Sequence, residues 1–180
     1  MSCGLGNSIT AFNLFEAQII PSLLNNAESW IGITNKQITA LQDFQDTFTR
    51  KVLHLAPSTT KALINWDVGM MPMKWRVASK KLQFIRKISL KDNRSIVKNV
   101  LVNEFLEGIN GLVTECRKIA KEIGLEDLML NQYSKKDIKE AVKAAVKKEF
   151  LSEMQSKVKV SDRLSDDPED NSYINNMSLT

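Results

Sequence analysis

The stretch Lys74-Trp75-Arg76-Val77-Ala78-Ser79-Lys80-Lys81-Leu82-Gln83-Phe84-Ile85-Arg86-Lys87-Ile88-Ser89-Leu90-Lys91 decides the fold. Trp75, Ala78, Leu82, Ile85 and Ile88 follow one another at steps of three and four residues, the spacing of one buried helical face. Between Lys74 and Lys98 the chain also carries nine Lys or Arg residues against a single acid, Asp92. At 100° per residue, Arg76, Lys80, Lys87 and Lys91 fall within a sector of roughly 60° turned away from the apolar stripe. The spacing predicts one helix to about Lys91, anchored in a core and presenting a cationic ridge. A row of like charges repels itself, so such a ridge is stable in water or opposite a polyanion. A solvated face and a phosphate-binding edge both fit. In the second case the contacts are Arg76, Lys80, Lys87 and Lys91, flanked by Lys81, Arg86 and Arg94.

Upstream, apolar residues again recur at helical spacing. A first helix is expected from about Thr10 to Trp30, apolar on most sides and therefore central, with a kink at Pro21, which lacks a backbone donor. Gly32 and Thr34 separate it from a second helix, about Asn35 to Leu55, with Ile38, Leu41, Phe44, Phe48, Val52 and Leu55 as its buried stripe. Pro57-Ser58-Thr59 reads as a stop followed by a capped start, a short helix over Thr60 to Asp67 comes next, and Pro72 suits the first turn of the basic helix.

Downstream, helices are expected from about Ser95 to Leu106 and from about Leu112 to Gly124, broken by Gly108 and Gly111. Ser134 with Asp137 resembles a capping box that starts a last helix, whose apolar side is Ile138, Val142, Ala145 and Val146. From Lys135 to Lys159 it holds eight Lys against four acids, read as a solvated face. Beyond about Ser161 the chain is Ser, Asp, Asn and Pro, with too little apolar surface to offset the entropy of ordering, and a disordered acidic tail is expected. The fold class is therefore all-α, an irregular bundle of about six or seven helices. By chain position it divides into residues 1–92, 93–159 and the tail 160–180.

Composition narrows the function classes. A chain of 180 residues with 43% hydrophobic residues can bury a real core. The net charge of +4 conceals segregation: five acids against four bases up to Met73, and five acids with only Arg163 in the last 21 residues. Cys3 and Cys116 stand far apart without Cys or His partners at ligand spacing, which points to reduced thiols and an intracellular, cytoplasmic or nuclear, protein. No stretch is apolar for long enough to span a membrane, and no cofactor motif is present. His54, the one histidine, ends the second helix with no paired nucleophile. Asp166 and Asp167 sit in the acidic tail rather than on a scaffold able to hold two metal ions. Trp30, Trp66 and Trp75 lie in or beside apolar stripes and read as core.

The run Phe15-Glu16-Ala17-Gln18-Ile19-Ile20-Pro21-Ser22-Leu23-Leu24-Asn25-Asn26-Ala27-Glu28-Ser29-Trp30 resembles a segment that follows the catalytic palm of non-LTR retrotransposon reverse transcriptases. The likeness continues through Leu41, Gln45, Phe48, Arg50 and Lys51, the turn Leu55-Ala56-Pro57-Ser58-Thr59-Thr60, and Asp67-Val68-Gly69-Met70-Met71-Pro72-Met73 leading into the basic helix. It covers about Gly4 to Ser89, and in that family this order belongs to the thumb and post-palm region. The resemblance implies packed helices that grip template–primer duplex by its phosphates. It also implies that the polymerase aspartates belong to palm strands ahead of this segment, so no catalytic residue carries over.

Three functions stay open at this point. One is a palm-less reverse-transcriptase fragment that binds RNA or RNA–DNA duplex without sequence preference, with a separately encoded palm as a further partner. Another is a helical interaction module, self-associating through Phe12, Phe15 and Leu24 or meeting, by its basic edge, an acidic protein or the chain's own acidic tail. The third is a decayed fragment without selected activity. None of these is an autonomous enzyme.

Overall fold

The structure, a computed structural model, describes residues 5–56, 58–60, 68–125 and 133–162. Among them there is no strand. The α-helices are α1 (Leu5–Leu14), α2 (Ile20–Leu23), α3 (Asn35–Leu53), α4 (Met73–Ser89), α5 (Ile96–Glu107), α6 (Leu112–Glu122) and α7 (Lys135–Asp162). A π turn over Phe15–Ile19 joins α1 to α2, and a 3-10 turn covers Ala27–Ser29. The all-α expectation holds. The short helix expected up to Asp67, with Trp66, and the tail beyond residue 162 lie outside the described residues.

The basic helix α4 is the centre of the fold. Its expected stripe, Trp75, Ala78, Leu82, Ile85 and Ile88, is buried against Leu101 of α5, Leu112, Val113, Cys116 and Ala120 of α6, and Ile138 and Val142 of α7. Met73 and Val77, outside that stripe, join a second cluster with Phe15, Ile20, Leu24, Ala27 and Met70. α4 is thus covered on two sides, and both hydrophobic clusters close on it. The N-terminal helical segment does not occupy the centre that its composition suggested. It packs one side onto α3 and α4 and leaves Ile9, Leu14 and Ile19 exposed. Phe15 and Leu24, expected as a self-association surface, are buried in the second cluster, and Phe12 packs against it.

Local chemistry explains the element ends. Pro21 cannot supply the next intrahelical N–H, and the chain answers just ahead of it with a π turn in which the Ile20 N–H donates to the Phe15 carbonyl, five residues back. Thr34 and Gln37 form a reciprocal capping box at the start of α3. His54 closes that helix in the left-handed region (φ 53°), its N–H returning to the carbonyls of Arg50 and Lys51. The first N–H of α4, on Met73, donates to the Gln42 side chain of α3 at 2.9 Å, so one helix caps another. Glu104 of α5 does the same for α6, accepting the Val113 N–H at 2.6 Å. Ser134 and Asp137 form the capping box expected at the start of α7, at 3.1 and 2.7 Å.

The side of α3 that packs deepest differs from the expected stripe. Gln45, Asp46 and Thr49 are its fully buried residues, whereas Phe44 is 47% exposed. The reason is the approach of Met70 and Met73: the Thr49 hydroxyl contacts the Met70 sulfur at 3.3 Å, and Gln42 bridges Asp46 and Met73. Phe48 keeps its expected place by stacking on Phe15, with ring centroids 4.0 Å apart.

This arrangement predicts unequal costs for two aromatic truncations. Phe15→Ala lowers the unfolding free energy by about 3–5 kcal/mol, the range for a fully buried aromatic. Phe44→Ala costs well under half as much. Urea unfolding of the two variants beside the wild type reads the difference, and equal midpoints would contradict the packing described.

Candidate functional site

The seven cations expected on the ridge occupy three different environments. Lys81 is buried, 1% exposed, and pairs with Glu115 of α6 at 2.5 Å. Arg76 donates to the Met71 carbonyl at 2.7 Å and makes a two-pronged ion pair with Glu16 in the π turn. Lys80 donates to the Leu24 carbonyl at 2.8 Å, at the C-terminal end of α2, where a cation complements the helix dipole. Arg86 donates to the Tyr133 carbonyl at 2.5 Å, tying the start of α7 to the end of α4. The remaining three, Lys87, Lys91 and Arg94, are exposed and form no side-chain ion pair among the described residues. α4 ends at Ser89 with Leu90 as its C-cap, so Lys91 and Arg94 lie beyond the helix and do not continue its ridge.

The angular arithmetic already separated these groups in part. At about 100° per residue Lys81 falls between Ile88 and Ile85, inside the buried arc, so its burial was written in the spacing. No such signal exists for Arg76 and Lys80. Their partners, Glu16 and Leu24, are brought up by the N-terminal helices some 60 and 56 positions away in the chain.

Lys81 and Glu115 form an ion pair set into the surface, with the lysine buried and the carboxylate about a quarter exposed. The other Glu115 oxygen accepts the backbone N–H of Gly32, a residue at φ +71° in the turn before α3. Burial opposes ionisation of Glu115. The hydrogen bond from Lys81, the Gly32 N–H and the positive charges of Lys81 and Lys118 outweigh it and hold the carboxyl below its ordinary value. Next to it the Cys116 thiol is buried and is pushed up to about 12, chiefly by desolvation, so it is an inert packing group and not a nucleophile.

The exposed cationic ridge of this protein is on α7. Lys136, Lys139, Lys143 and Lys147 lie within a sector of roughly 80°, about a third of a turn round the helix from Ile138 and Val142 and bordered by the partly buried Val146. All four are exposed, and the ion pair on this face, Lys136 with Glu140, is long at 3.7 Å. Trp75 donates its indole N–H to Glu149, and Arg86 holds Tyr133, so α7 runs antiparallel along α4. The lysine ridge therefore begins at the end of the molecule where Lys87 is exposed. These are the lysines expected from the sequence as a solvated face. The signal that distinguishes them is the lack of acids within one turn on that sector, Glu140 excepted.

A surface recess of about 520 Å3 at the C-terminal end of α3 is lined by Thr47, Arg50, Lys51, His54 and Leu55. His54 contributes its backbone cap there, as its position at the helix end suggested. Among the described residues no three His, Cys, Asp or Glu side chains converge as metal ligands would, and no helix is long and apolar enough to cross a membrane.

No protein-family model, curated protein or solved structure matches this chain.

Two predictions follow from the Lys81–Glu115 pair. Glu115→Leu strands a buried ammonium and costs about 3–5 kcal/mol, whereas Lys81→Met leaves a carboxylate that still reaches water and costs less. Urea titrations of the two variants establish the order. Because the folded carboxyl of Glu115 ionises below its ordinary 4.5, the stability it contributes is complete above that pH and is lost as the pH falls through the folded value. Glu115→Gln therefore flattens the loss of stability between pH 5 and strong acid, and an unchanged acid slope would contradict the assignment.

Proposed function

We propose that this chain is a binding module for nucleic-acid duplex, RNA or RNA–DNA, that contacts the phosphate backbone through the lysine ridge of α7. The observation that carries the reading is the set Lys136, Lys139, Lys143 and Lys147, exposed on one narrow face with a single long intrahelical ion pair. The ridge is about 16 Å long at 1.5 Å per residue. That length spans a few consecutive phosphates of one strand, and such contacts are indifferent to base sequence. Lys87 and Lys91 extend the positive field at the end where α7 begins. The role first expected of α4 passes in this reading to α7, because Arg76, Lys80, Lys81 and Arg86 are occupied by internal partners.

The resemblance to the thumb and post-palm region of non-LTR retrotransposon reverse transcriptases supports the same ligand class. On that resemblance the module descends from a polymerase grip, and the family's catalytic aspartates, which lie on palm strands, have no counterpart among these residues. A second reading, a helical protein-interaction module, is favoured by one specific observation: α5 leaves most of its apolar side chains in solvent.

Fluorescence anisotropy with a short RNA duplex over a range of salt tests the proposal. The wild type binds with a steep salt slope. Changing Lys136, Lys139, Lys143 and Lys147 to Gln reduces that slope by about 3–4 and weakens binding, as expected for four lost phosphate contacts. Arg76→Gln and Lys80→Gln lower stability and leave the slope intact. A quadruple variant with wild-type affinity and slope would overturn the proposal.

A further inference from the structure

α5 is apolar around its whole circumference, with seven apolar residues in twelve, yet Leu101 is its one buried residue. A helix of that composition is normally enclosed on all sides. Here Ile96 is 79% exposed, Val100 58% and Leu106 72%. Ile96, Val100, Asn103 and Glu107 follow at steps of four, three and four, so they form one ridge within roughly 60°, and all four are exposed. The charges at its two ends are opposite. Arg94 stands just before the helix and Glu107 closes it. Both are exposed and neither has an ionic partner among the described residues.

From this pattern we infer that α5 is a homodimer interface in which two copies of the chain pair antiparallel across a twofold axis near Val100. A surface with Val100 at its middle, a cation at one end and an acid at the other complements itself when reversed. Antiparallel pairing sets Glu107 of one copy within reach of Arg94 of the other, twice by symmetry, brings the two Val100 side chains together and lays each Ile96 over the Asn103–Glu107 end of the partner. It also places the helix dipoles head to tail. One helical face per copy lies below the roughly 800 Å2 per partner of a standard interface, so the dimer is weak and concentration-dependent. This inference is independent of the polyanion reading, which uses different residues on another helix.

Sedimentation velocity of the full chain over a range of concentrations tests it. The wild type passes from monomer to dimer with rising concentration. Val100→Glu stays monomeric with an unchanged far-ultraviolet circular dichroism spectrum, since position 100 faces solvent in the monomer. Arg94→Glu and Glu107→Lys each raise the dimer dissociation constant roughly ten-fold, because each brings like charges together at both ends. An equimolar mixture of those two variants regains wild-type dimerisation, because both end pairs are then of opposite sign. A chain that remains monomeric at millimolar concentration overturns the inference. So does a dimer indifferent to Val100→Glu, or a mixture that associates no better than its components.

Discussion

The fold depends on a carboxylate that serves two masters. Glu115 accepts a proton-bearing partner from each side, the Lys81 ammonium and the Gly32 backbone N–H, and so joins α6 to α4 and to the turn ahead of α3. The first partner lies among the residues that α4 shares with α5, α6 and α7. The second belongs to the turn that leads from the N-terminal helices to α3, on the side of the other cluster. Removing two charges from water is costly, and a pair of well-packed apolar residues can be as stable. An apolar pair would lose the Gly32 contact and leave that exposed N–H to water. The ion pair therefore adds a contact that apolar packing does not supply, one that ties α6 and α4 to the Gly32 turn.

The same logic governs the other cations around α4. A dense run of positive charge was expected to need either bulk water or a polyanion. The protein supplies a third solution, the exposed carbonyls at the ends of neighbouring segments. Lys80 takes the Leu24 carbonyl, Arg86 the Tyr133 carbonyl, Arg76 the Met71 carbonyl together with Glu16, and Lys98 the Lys91 carbonyl. Lys74 pairs with Glu122 at 2.5 Å and lies over the Trp75 ring. Each long side chain thus reaches a carbonyl or carboxylate of another segment, which disperses the charge and ties the surrounding helices together. Charge density in the sequence measured how many segments must be held to α4, and only its last part, Lys87, Lys91 and Arg94, measured free positive surface.

What could be read from residue order follows from this division. The period of three and four located α4, its stripe and the helices after it, since those features depend on neighbours within a turn or two. Thr34 with Gln37 and Ser134 with Asp137 lie within one turn of each other, and the second pair was legible as a helix start for that reason. The buried Gln45, Asp46 and Thr49 were not legible. Polar residues on one side of α3 acquire a buried role only when Met70 and Met73 approach them, and that approach is a property of the whole chain. The π turn before Pro21 was half legible: proline demanded a defect, but its form depended on keeping Phe15 and Ile20 both on the buried side.

The two helices that α4 does not exhaust carry the two surfaces proposed above for recognition. α7 gives the core Ile138 and Val142 and turns its lysines outward, so its inner face is accounted for by the fold, while its outer face has the Lys136–Glu140 pair as its ion pair among the described residues. α5 is the converse, with one buried leucine and an outer face of aliphatic side chains that folding of a single chain leaves in water. Electrostatic attraction to phosphates is long-ranged and insensitive to fit, whereas burial of Ile96 and Val100 is short-ranged and demands it. A charged edge therefore suits a ligand of variable sequence, and an aliphatic face with opposite charges at its ends suits a partner of fixed shape. Placing them on different helices lets one surface be occupied without desolvating the other.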